Sequence, residues 1–543
     1  MLGIVAWKSK SESARSAAVT AALRENVQTI VVIYAENRSF DNLFGHFPGA
    51  HGLRDVVDTN GRPTKSYIPQ KDRNGTTILE ELPRTWGGVT ARGVEPAISE
   101  WRSARLANAP FAMESAFDDR LATTTVTRDL VHRFFQHQMQ IHGGANDMFA
   151  AWSDAGGMTM GGFDYESSEL SKLAHKYVLA DNFFQGAFGG SFLNHQYLIC
   201  ACAPEYPRAD TTLARWLIST LVQRPDGRYL PVLRTTSASS MSALDGPPVF
   251  ANDGNITPKN YFGDGTFRAV NTMQPPYQPS GNPPSTTRAY GIDYADADSA
   301  TTLPPQTQQT IGDLLDNARV RWTWYAGSWS AAVTDGKQRA SAPRSVIYRG
   351  NSSGYADDAH VDFQPHHQPF NYYANFDPRR HAADRATHLK DGTDFEADAT
   401  AGSLPPVAFY KPDGRYNQHA GNSSIDVGDK EIADLVRRLQ ASPQWPGMVI
   451  VVAYDEFGGG WDHVAPPRGD LLGPGTRIPA IIISPFAKNG IVDHTQYDTG
   501  SIIRFIRRRF SLGKLAGLVT RDDALKAAGR DTMGDLVNAL RFP

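Results

Sequence analysis

The sequence predicts an α/β fold in which a central, mostly parallel sheet lies between helices. Residues 28–34 and 447–453 are short, β-branched and apolar on both alternating faces, which is typical of strands buried on both sides of a parallel sheet. Further strand-like and helix-like segments alternate along the chain, as βαβ connections require. Residues whose side chains carry oxygen atoms follow both runs. Open α/β sheets bind small molecules and ions outside the carboxyl ends of their strands, which is where these side chains would lie.

Three more elements are predicted in the first half of the chain. Apolar residues recur at helical spacing over residues 127–141, and Gly143 and Gly144 are expected to end that helix. Residues 177–182 form a predicted strand. A glycine-rich turn then leads into a predicted helix over residues 191–200.

The second half supplies the remaining core elements. Residues 320–325, 406–410 and 478–484 are predicted strands. Residues 429–440 form a predicted amphipathic helix with an acidic first turn. Residues 500–509 form another, whose arginines follow its polar side and are expected to face solvent rather than nucleic acid.

Charge and hydropathy exclude several classes of partner. The formal net charge is -3 over 543 residues, so there is no global attraction to nucleic acid or anionic membranes. No apolar run approaches the roughly 20 residues that span a bilayer. Residues 2–7 are too few and too close to the start to be a signal-peptide core. We therefore expect no nucleic-acid partner and no transmembrane segment, and we expect any export signal to be absent or already removed.

The two cysteines, Cys200 and Cys202, are separated by a single residue. On a helix such neighbours point in different directions, so a bridge between them would be strained. Buried free thiols are the favoured interpretation, with a redox pair or a metal site as the alternatives. No zinc motif is available, because no further cysteine or nearby histidine has ligand spacing.

Two residue pairs at the ends of the apolar runs are candidate metal ligands. Glu36 and Asn37 follow the first run, and Asp455 and Glu456 follow the second. If the two strands are neighbours, these oxygens meet at one cation. Carboxylate and amide oxygens accept Mg²⁺, Ca²⁺ or Mn²⁺ alike, so the sequence leaves the identity of this single divalent ion open.

Ser191 stands at the start of a predicted helix, after a glycine turn. Backbone N–H groups and the positive end of the helix dipole favour an oxyanion or a phosphate there, which makes Ser191 a candidate nucleophile. The alternative is that it only caps the helix. An acyl-hydrolase elbow is excluded, because Leu193 stands where Gly-x-Ser-x-Gly needs its second glycine.

Five motifs carry a resemblance to a known family. They are Glu36-Asn37-Arg38-Ser39-Phe40-Asp41, Asp129-Leu-Val-His132, Asn417-Gln-His419, Tyr454-Asp455-Glu456-x-Gly458-Gly459-x-x-Asp462-His463-Val464, and Val492-Asp493-His494-Thr495-Gln-Tyr497-Asp498. From about Val27 to Phe510 the chain resembles the phosphoesterase superfamily that contains bacterial acid phosphatases of the respiratory-burst-inhibiting type and phospholipases C. The resemblance implies an alkaline-phosphatase-like α/β sandwich and metal-assisted phosphoryl transfer through a covalent phospho-serine or phospho-threonine.

Carried over residue by residue, the resemblance implies roles for individual side chains. Ser191 would be the nucleophile and would also touch the metal. His366 and His367 lie in a segment shared with the acid phosphatases and are secondary candidates for contact with phosphate or substrate. Asn37 is expected to contact the substrate as well as the metal. The implied metal ligands are Glu36, Asn37, Asp455 and Glu456, and the histidines expected to be catalytic and to face the phosphate or the metal are His132, His419 and His463.

One departure from the family pattern favours the acid phosphatases. Many members carry Thr-x-Pro-Asn-Arg at the nucleophile, whereas this chain has Ser191-Phe-Leu-Asn194-His195. Which group orients the substrate therefore stays open. The leading hypothesis is a metal-dependent acid phosphatase acting on phosphomonoesters. The alternatives are a phospholipase C acting on phosphodiesters and a non-catalytic protein that binds phosphate or metal.

The resemblance also suggests a domain organisation and a location. Residues 1–26 are an N-terminal extension, residues 27–513 the catalytic domain and residues 514–543 a C-terminal tail packed on it. Residues 204–305 are rich in Pro, Gly, Asn, Ser and Thr and are predicted to be an irregular insertion. A periplasmic or secreted protein is expected, with a phosphate ester as substrate, and the oligomeric state is left open.

Overall fold

Helices and strands alternate along the chain in the computed structural model, which describes residues 2–117, 121–223, 229–233, 240–285, 291–339, 341–342, 346 and 362–543, with side chains from residue 14 onward. The helices are α1 (Leu2–Asn26), α2 (Phe40–Phe44), α3 (Met113–Ala116), α4 (Phe134–Ile141), α5 (Phe149–Trp152), α6 (Glu169–Lys176), α7 (Ser191–Cys200), α8 (Ile311–Asn317), α9 (Trp329–Gly336), α10 (Ala382–His388), α11 (Gly392–Ala401), α12 (Ile425–Ala441), α13 (Thr499–Phe510) and α14 (Ala516–Ala527). The strands are β1 (Thr29–Ala35), β2 (Phe111–Ala112), β3 (Gly161–Gly162), β4 (Val178–Ala180), β5 (Phe183–Phe184), β6 (Leu221–Gln223), β7 (Tyr229–Pro231), β8 (Trp322–Ala326), β9 (Leu389–Asp391), β10 (Val407–Lys411), β11 (Met448–Tyr454), β12 (Ala480–Ile483), β13 (Ile491–Asp493) and β14 (Tyr497–Asp498).

The central sheet has eight strands in the described part of the chain, in the order β13-β4-β12-β11-β1-β10-β8-β9. Neighbouring strands are parallel except at β12, which runs antiparallel to both β11 and β4. The prediction of a mostly parallel sheet is confirmed. The sequence pattern predicts neither edge strand, β9 nor β13, because three residues are too few to show a periodicity.

The two strands at the centre are buried on both faces, as their sequences predict. All seven residues of β1 and all seven of β11 are buried, and the strands pair in parallel with Val32 opposite Val451. Helices α6 and α11 pack against α12, and α13 packs against α7 and α1. A sheet whose central strands are buried on both faces needs such helical cover.

Helix boundaries follow tertiary hydrogen bonds as well as apolar spacing. The helix predicted over residues 191–200 is confirmed as α7 (Ser191–Cys200). The helix predicted over residues 127–141 begins only at Phe134. The segment before it is held extended, because Arg128 N donates to Val89 O at 2.9 Å and Val131 N donates to Asp154 Oδ1 at 2.9 Å.

The prediction of free thiols at Cys200 and Cys202 is wrong, because the two residues form a disulfide. Helix α7 ends at Cys200, and Ala201 adopts a left-handed conformation with φ 50°. The chain therefore turns between the cysteines instead of continuing as a helix, and the two Cα atoms lie 5.1 Å apart, within the range that a disulfide spans.

Residues 204–305 contain little regular structure where they are described. They hold two short 3₁₀ helices, Ala209–Thr211 and Leu213–Leu217, and the hairpin of β6 and β7. The segment is fixed to α4 by side-chain contacts. Asn271 Oδ1 accepts from Phe134 N at 3.0 Å, and the Arg133 guanidinium donates to Asp253 Oδ2 at 2.6 Å.

Helix α1 packs on α13 through polar contacts. The Arg508 guanidinium donates to Thr20 Oγ1 at 2.9 Å and to the Ser16 carbonyl at 3.0 Å. Among the helices of the described residues, none has both the length and the apolar character that crossing a bilayer requires.

Candidate active site

Three neighbouring strands deliver polar side chains to one edge of the sheet. Because β10, β1 and β11 are adjacent and parallel, their carboxyl ends lie side by side. Lys411 is the last residue of β10, Glu36 and Asn37 follow β1, and Asp455 and Glu456 follow β11. All five side chains are buried.

The loops after β1 and β11 orient each other. Asn37 adopts a left-handed conformation with φ 61°, and its N–H donates to Asp455 Oδ1 at 3.0 Å. The same oxygen accepts from Glu456 N at 2.8 Å. Gly458 lies so close to this turn that a Cβ there would be 2.1 Å from the Asn37 carbonyl oxygen. The glycine in the sequence motif is thus required by the close approach of two backbones.

Ser191 is the first residue of α7 and points into this group. The N-cap position belongs to Gly190, so Ser191 does not serve as the cap of the helix. The Ser191 hydroxyl lies 3.1 Å from Asn37 Oδ1 and 3.3 Å from Glu456 Oε1, and the residue is only 5% exposed. The positive end of the α7 dipole therefore lies at a hydroxyl surrounded by oxygen ligands.

Glu36 is held by two basic side chains. Its Oε1 lies 2.5 Å from His367 Nε2 and 2.8 Å from Lys411 Nζ. Burial by itself would raise the pKa of Glu36, but the attraction of Lys411 and His367 outweighs burial and holds that pKa well below its usual range. Glu36 is therefore an ionised carboxylate in a buried position.

His195 and His366 complete the buried side of the site as neutral imidazoles. His195 Nδ1 donates to the Ser191 carbonyl at 2.8 Å and lies 3.7 Å from Asp455 Oδ2. Burial lowers the pKa of both histidines well below the usual value, and Lys411 acts in the same direction on both. Neutral imidazole is the form that accepts hydrogen bonds or binds a metal.

His132 and His419 lie at the open side, where a cavity of about 280 Å³ reaches Ser191. The Nδ1 atoms of these histidines face the carbonyls of Leu130 and Ala420, so the Nε2 atoms are presented to the site. His132 Nε2 lies 3.7 Å from Glu456 Oε1, and His419 Nε2 lies 3.7 Å from Glu36 Oε2. The cavity lining also includes Asp129, Gly190, Phe192, Val270 and His366.

His463 belongs to a different group of side chains. Its Nδ1 lies 2.6 Å from Asp41 Oδ2, and Arg477 pairs with both Asp41 and Asp462 at 3.0 and 3.1 Å. His463 is not among the residues that line the cavity at Ser191. The structure thus brings together all of the predicted site residues except this one.

The pairing of His463 with Asp41 predicts a pH-dependent contribution to stability. Burial alone would raise the pKa of Asp41 and lower that of His463, but their mutual attraction outweighs burial and reverses both shifts. The pair should therefore stabilise the fold fully between about pH 4 and 6.5, and the contribution should fade as the pH rises through the raised pKa of His463. His463→Gln is expected to lower the free energy of unfolding by about 3 kcal/mol at pH 6 and by less at pH 9.

Unfolding curves at the two pH values check this expectation. His381→Gln is the matched control, because His381 is an exposed histidine that lies 3.4 Å from Asp384. Equal losses for His463→Gln at both pH values would show that the residue contributes packing and not charge.

The donor set at the centre of the site fits a divalent cation. Within the described residues, several buried ligand atoms have no hydrogen-bond partner, among them Glu36 Oε2, Asp455 Oδ2 and His195 Nε2. Burial and the charge of Glu36 raise the pKa of Asp455 to about 6 against the opposing effect of Lys411, and burial with the charge of Asp455 raises that of Glu456 well above its usual range. A cation would neutralise this excess of carboxylate charge.

The structure places two further residues in the site, Lys411 and His195, which are not among the predicted site residues. Lys411 directly follows the apolar run of residues 406–410, and a lysine at the carboxyl end of a buried strand could have indicated its place in the site. His195 is one helical turn beyond Ser191, and this spacing places both on the same side of α7.

The sequence of this chain is similar to that of known phosphoesterases. The model of the Phosphoesterase family matches residues 27–513, which is most of the chain. Among curated relatives, "Phospholipase C B" of Mycobacterium tuberculosis is 29% identical over 191 residues, which cover 31% of this chain and 35% of the relative.

Two other relatives match to a similar degree. The "Non-hemolytic phospholipase C" of Pseudomonas aeruginosa is 29% identical over 27% of this chain and 25% of its own length. "Non-specific phospholipase C6" of Arabidopsis thaliana is 29% identical over 26% of this chain and 33% of its own length. The matched segments thus span about a third or less of these relatives.

Solved structures match only loosely. A "Protein in the Alkaline Phosphatase Superfamily" from Vibrio parahaemolyticus is 10% identical, with a TM-score of 0.25 over 66% of this chain and 64% of that one. Ps i-CgsB in complex with k-i-k-neocarrahexaose is 10% identical, with a TM-score of 0.29 over 67% of this chain and 71% of that one.

Proposed function

Because the chain belongs to the Phosphoesterase family, we propose that it is a metal-dependent phosphoric ester hydrolase that acts on phosphomonoesters through a phospho-serine intermediate. The observation that carries this proposal is the position of the Ser191 hydroxyl. It lies at the amino end of α7, 3.1 Å from Asn37 Oδ1 and 3.3 Å from Glu456 Oε1, at the bottom of a cavity. A non-catalytic binding protein would need no nucleophile there.

In this proposal the Ser191 hydroxyl oxygen attacks phosphorus, and the bond from phosphorus to the leaving oxygen breaks. Glu456 Oε1 is the carboxylate oxygen within reach of the serine proton. The α7 dipole stabilises negative charge on the phosphoryl oxygens. Water then attacks the phospho-serine, which releases phosphate and restores the serine hydroxyl.

The residues that would hold a divalent cation are Glu36, Asn37, Ser191, Asp455 and Glu456, as carried over from the family resemblance. When bound, such an ion lowers the pKa of the serine hydroxyl and neutralises charge on the phosphate. Lys411 lies on Glu36 Oε1 and keeps the carboxylate ionised, which leaves Glu36 Oε2 as the oxygen available to an ion. The oxygen ligands suit Mg²⁺, Ca²⁺ and Mn²⁺ alike. Elemental analysis of the purified protein identifies which of the three ions it binds.

His132 and His419 are placed to act on the outer side of the phosphate. Each presents Nε2 toward the cavity, because a backbone carbonyl faces its Nδ1. We assign His419 as the acid that protonates the leaving alcohol and His132 as a donor to phosphate oxygens. His366 lines the cavity as well and is assigned to substrate contact, whereas His367 is assigned to the support of Glu36.

The size of the cavity supports a phosphomonoester over a lipid phosphodiester. At about 280 Å³ it lies at the small end of ligand pockets, enough for a phosphate and a compact alcohol. The second candidate is a phospholipase C acting on phosphodiester head groups. The observation that favours it is that the three curated relatives described above are all phospholipases C.

Parallel assays on p-nitrophenyl phosphate and p-nitrophenylphosphorylcholine separate the two candidates. We expect kcat/KM for the monoester to exceed that for the diester by at least about tenfold, since discrimination by one well-placed interaction is worth 1–3 kcal/mol. The reverse ratio would assign the protein as a phospholipase C. Turnover of neither substrate by metal-loaded protein would favour a non-catalytic role.

The role of His419 predicts a dependence on the leaving group. A poor alkyl alkoxide needs a proton as it departs, whereas nitrophenolate leaves without one. His419→Ala is therefore expected to lose about 10²-fold or more on an alkyl phosphate and much less on p-nitrophenyl phosphate.

Steady-state rates of both substrates test His419, with His132→Ala as the matched comparison. Because His132 is assigned to phosphate binding, His132→Ala should lose similar rate on the two substrates. Equal losses for His419→Ala would reassign it to phosphate binding, and no loss would make it a structural residue.

We also propose a domain organisation and a location that accompany this function. Residues 27–513 form the catalytic domain, residues 1–26 an extension, residues 204–305 an insertion and residues 514–543 a tail. The disulfide between Cys200 and Cys202 supports a periplasmic or secreted protein, because disulfides persist in oxidising compartments.

A further inference from the structure

A second group of metal-binding side chains lies at the same edge of the sheet, outside the site at Ser191. Asp181 follows β4, and His494 follows β13. These strands are parallel neighbours, with Ala180 opposite Asp493. The register that pairs their last residues therefore brings Asp181 and His494 together at two adjacent carboxyl ends.

His51 closes the group from the loop that follows α2. Its backbone N–H donates to Asp181 Oδ2 at 2.8 Å, and its ring centroid lies 4.7 Å from that of His494. One donor atom from each of the three residues lies within 4.8 Å of the other two. Asp181 is fully buried, whereas the side chains of His51 and His494 are 58% and 50% exposed, so both imidazoles have room to turn.

The Asp181 carboxylate is oriented toward the imidazoles and not toward Arg477, a cation close to its backbone. Arg477 Nη1 donates to the backbone oxygens of His51 and Asp181, at 2.6 and 2.8 Å. The two carboxylate oxygens instead lie 3.0 and 2.9 Å from His494 Nδ1. Two ligand atoms on a tetrahedral zinc ion are separated by roughly 3.3 Å. The Asp181 carboxylate and His494 Nδ1 therefore need to move apart only slightly to bind the same ion.

We propose that His51, Asp181 and His494 bind one Zn²⁺ ion at the surface. Two imidazoles and one carboxylate are ligands that suit zinc, and three protein ligands leave a fourth position for water. Asp55 Oδ2 lies 3.7 Å from His51 Nδ1 and 3.7 Å from His463 Nε2, so a small turn of the exposed His51 ring would give it the carboxylate partner that zinc-bound histidines usually have. His51 would accordingly bind the ion through Nε2.

The ion would tie a loop to the sheet edge. Residue 51 is in the segment that continues from Glu36, Asn37 and α2, whereas Asp181 and His494 end strands on the other side of the antiparallel β12. An ion bound to the folded chain stabilises it by mass action. Zinc should therefore raise the melting temperature through a site that takes no part in the reaction at Ser191.

Zinc titration of the folded full chain tests the proposal in an Asp455→Asn background, which weakens the proposed catalytic metal site. Isothermal titration after chelator treatment should then give one Zn²⁺ per chain and a higher melting temperature. Adding His494→Ala or, separately, His51→Ala should weaken zinc binding at least about tenfold and remove the thermal shift, the loss expected when one of three ligands is deleted. Co²⁺ should give visible absorption bands that the same two variants lose.

His175→Ala in the same background is the matched control. His175 is also partly exposed and lies 2.9 Å from a carboxylate, that of Glu166, but the metal-binding groups found among the described residues do not include it. The control should keep full zinc affinity. Zinc binding that survives both His51→Ala and His494→Ala would overturn the proposal. Because zinc is counted without turnover, failure here is distinct from failure of the proposed hydrolase.

Discussion

Ser191→Ala is expected to abolish hydrolysis, with a loss of about 10⁴-fold or more in turnover, because removing an activated nucleophile leaves only the binding contributions of the site. The side chain lost is small, and the hydroxyl contacts site residues such as Asn37 and Glu456 rather than the apolar core. The fold should therefore be unchanged. Steady-state rates on p-nitrophenyl phosphate, with circular dichroism and melting temperature as checks, give the result.

A matched serine distinguishes a chemical role from a packing role. Ser171 is also buried and also lies in the first turn of a helix, α6, but it does not line the cavity at Ser191. Ser171→Ala should keep nearly full activity. Acid quenching during turnover should also trap one phosphoryl group on the peptide that contains Ser191. Retention of more than about a tenth of the activity by Ser191→Ala would exclude this serine as the nucleophile.

Asp455→Asn and Glu36→Gln are expected to lose bound divalent metal and activity together, each by about 10²-fold or more, because each removes a carboxylate charge that a hard cation needs. Binding of a cation by Asp455 competes with the proton that its raised pKa, about 6, retains in the absence of metal. Apparent metal affinity of the unmodified protein should therefore fall as the pH drops below about 6.

Metal content by elemental analysis and activity before and after chelation measure this effect. Asp429→Asn is the matched control, since Asp429 is a buried acid held by neutral donors, with Tyr165 Oη at 2.7 Å and Glu169 N at 2.8 Å. It should lower stability without changing metal content. Full activity of chelator-treated, metal-free protein would contradict a metal-assisted reaction.

The two largest expected effects concern residues that the sequence already singled out, and the reason is local. Each of these signals is contained in a few consecutive residues. One β-branched run ends in Glu36 and Asn37, another ends in Asp455 and Glu456, and a glycine turn precedes Ser191. Burial on both faces selects such runs for the centre of a parallel sheet, and chemistry collects at their carboxyl ends. The α/β class, the helix at Ser191 and the candidate ligands could therefore be predicted from the sequence.

Other features depended on contacts between distant segments. The short edge strands β9 and β13 carry no periodicity, and the helix expected over residues 127–141 loses its first half to hydrogen bonds with residues far away in sequence. The disulfide depended instead on a local backbone feature, the left-handed turn at Ala201, which ends α7 between the two cysteines. A periodicity of 3.6 residues cannot show where a helix stops when a single residue reverses the chain.

The amino-acid sequence by itself determined which residues carry oxygen and nitrogen ligands and on which kinds of element they lie. Only the tertiary structure decided that Lys411 forms an ion pair with Glu36, that His463 pairs with Asp41 away from Ser191, and that the His51 ring contacts the His494 ring. The physical reason is that electrostatic and ligand interactions act over a few ångströms in space. The order of strands in the sheet, and not the order of residues in the chain, sets those distances.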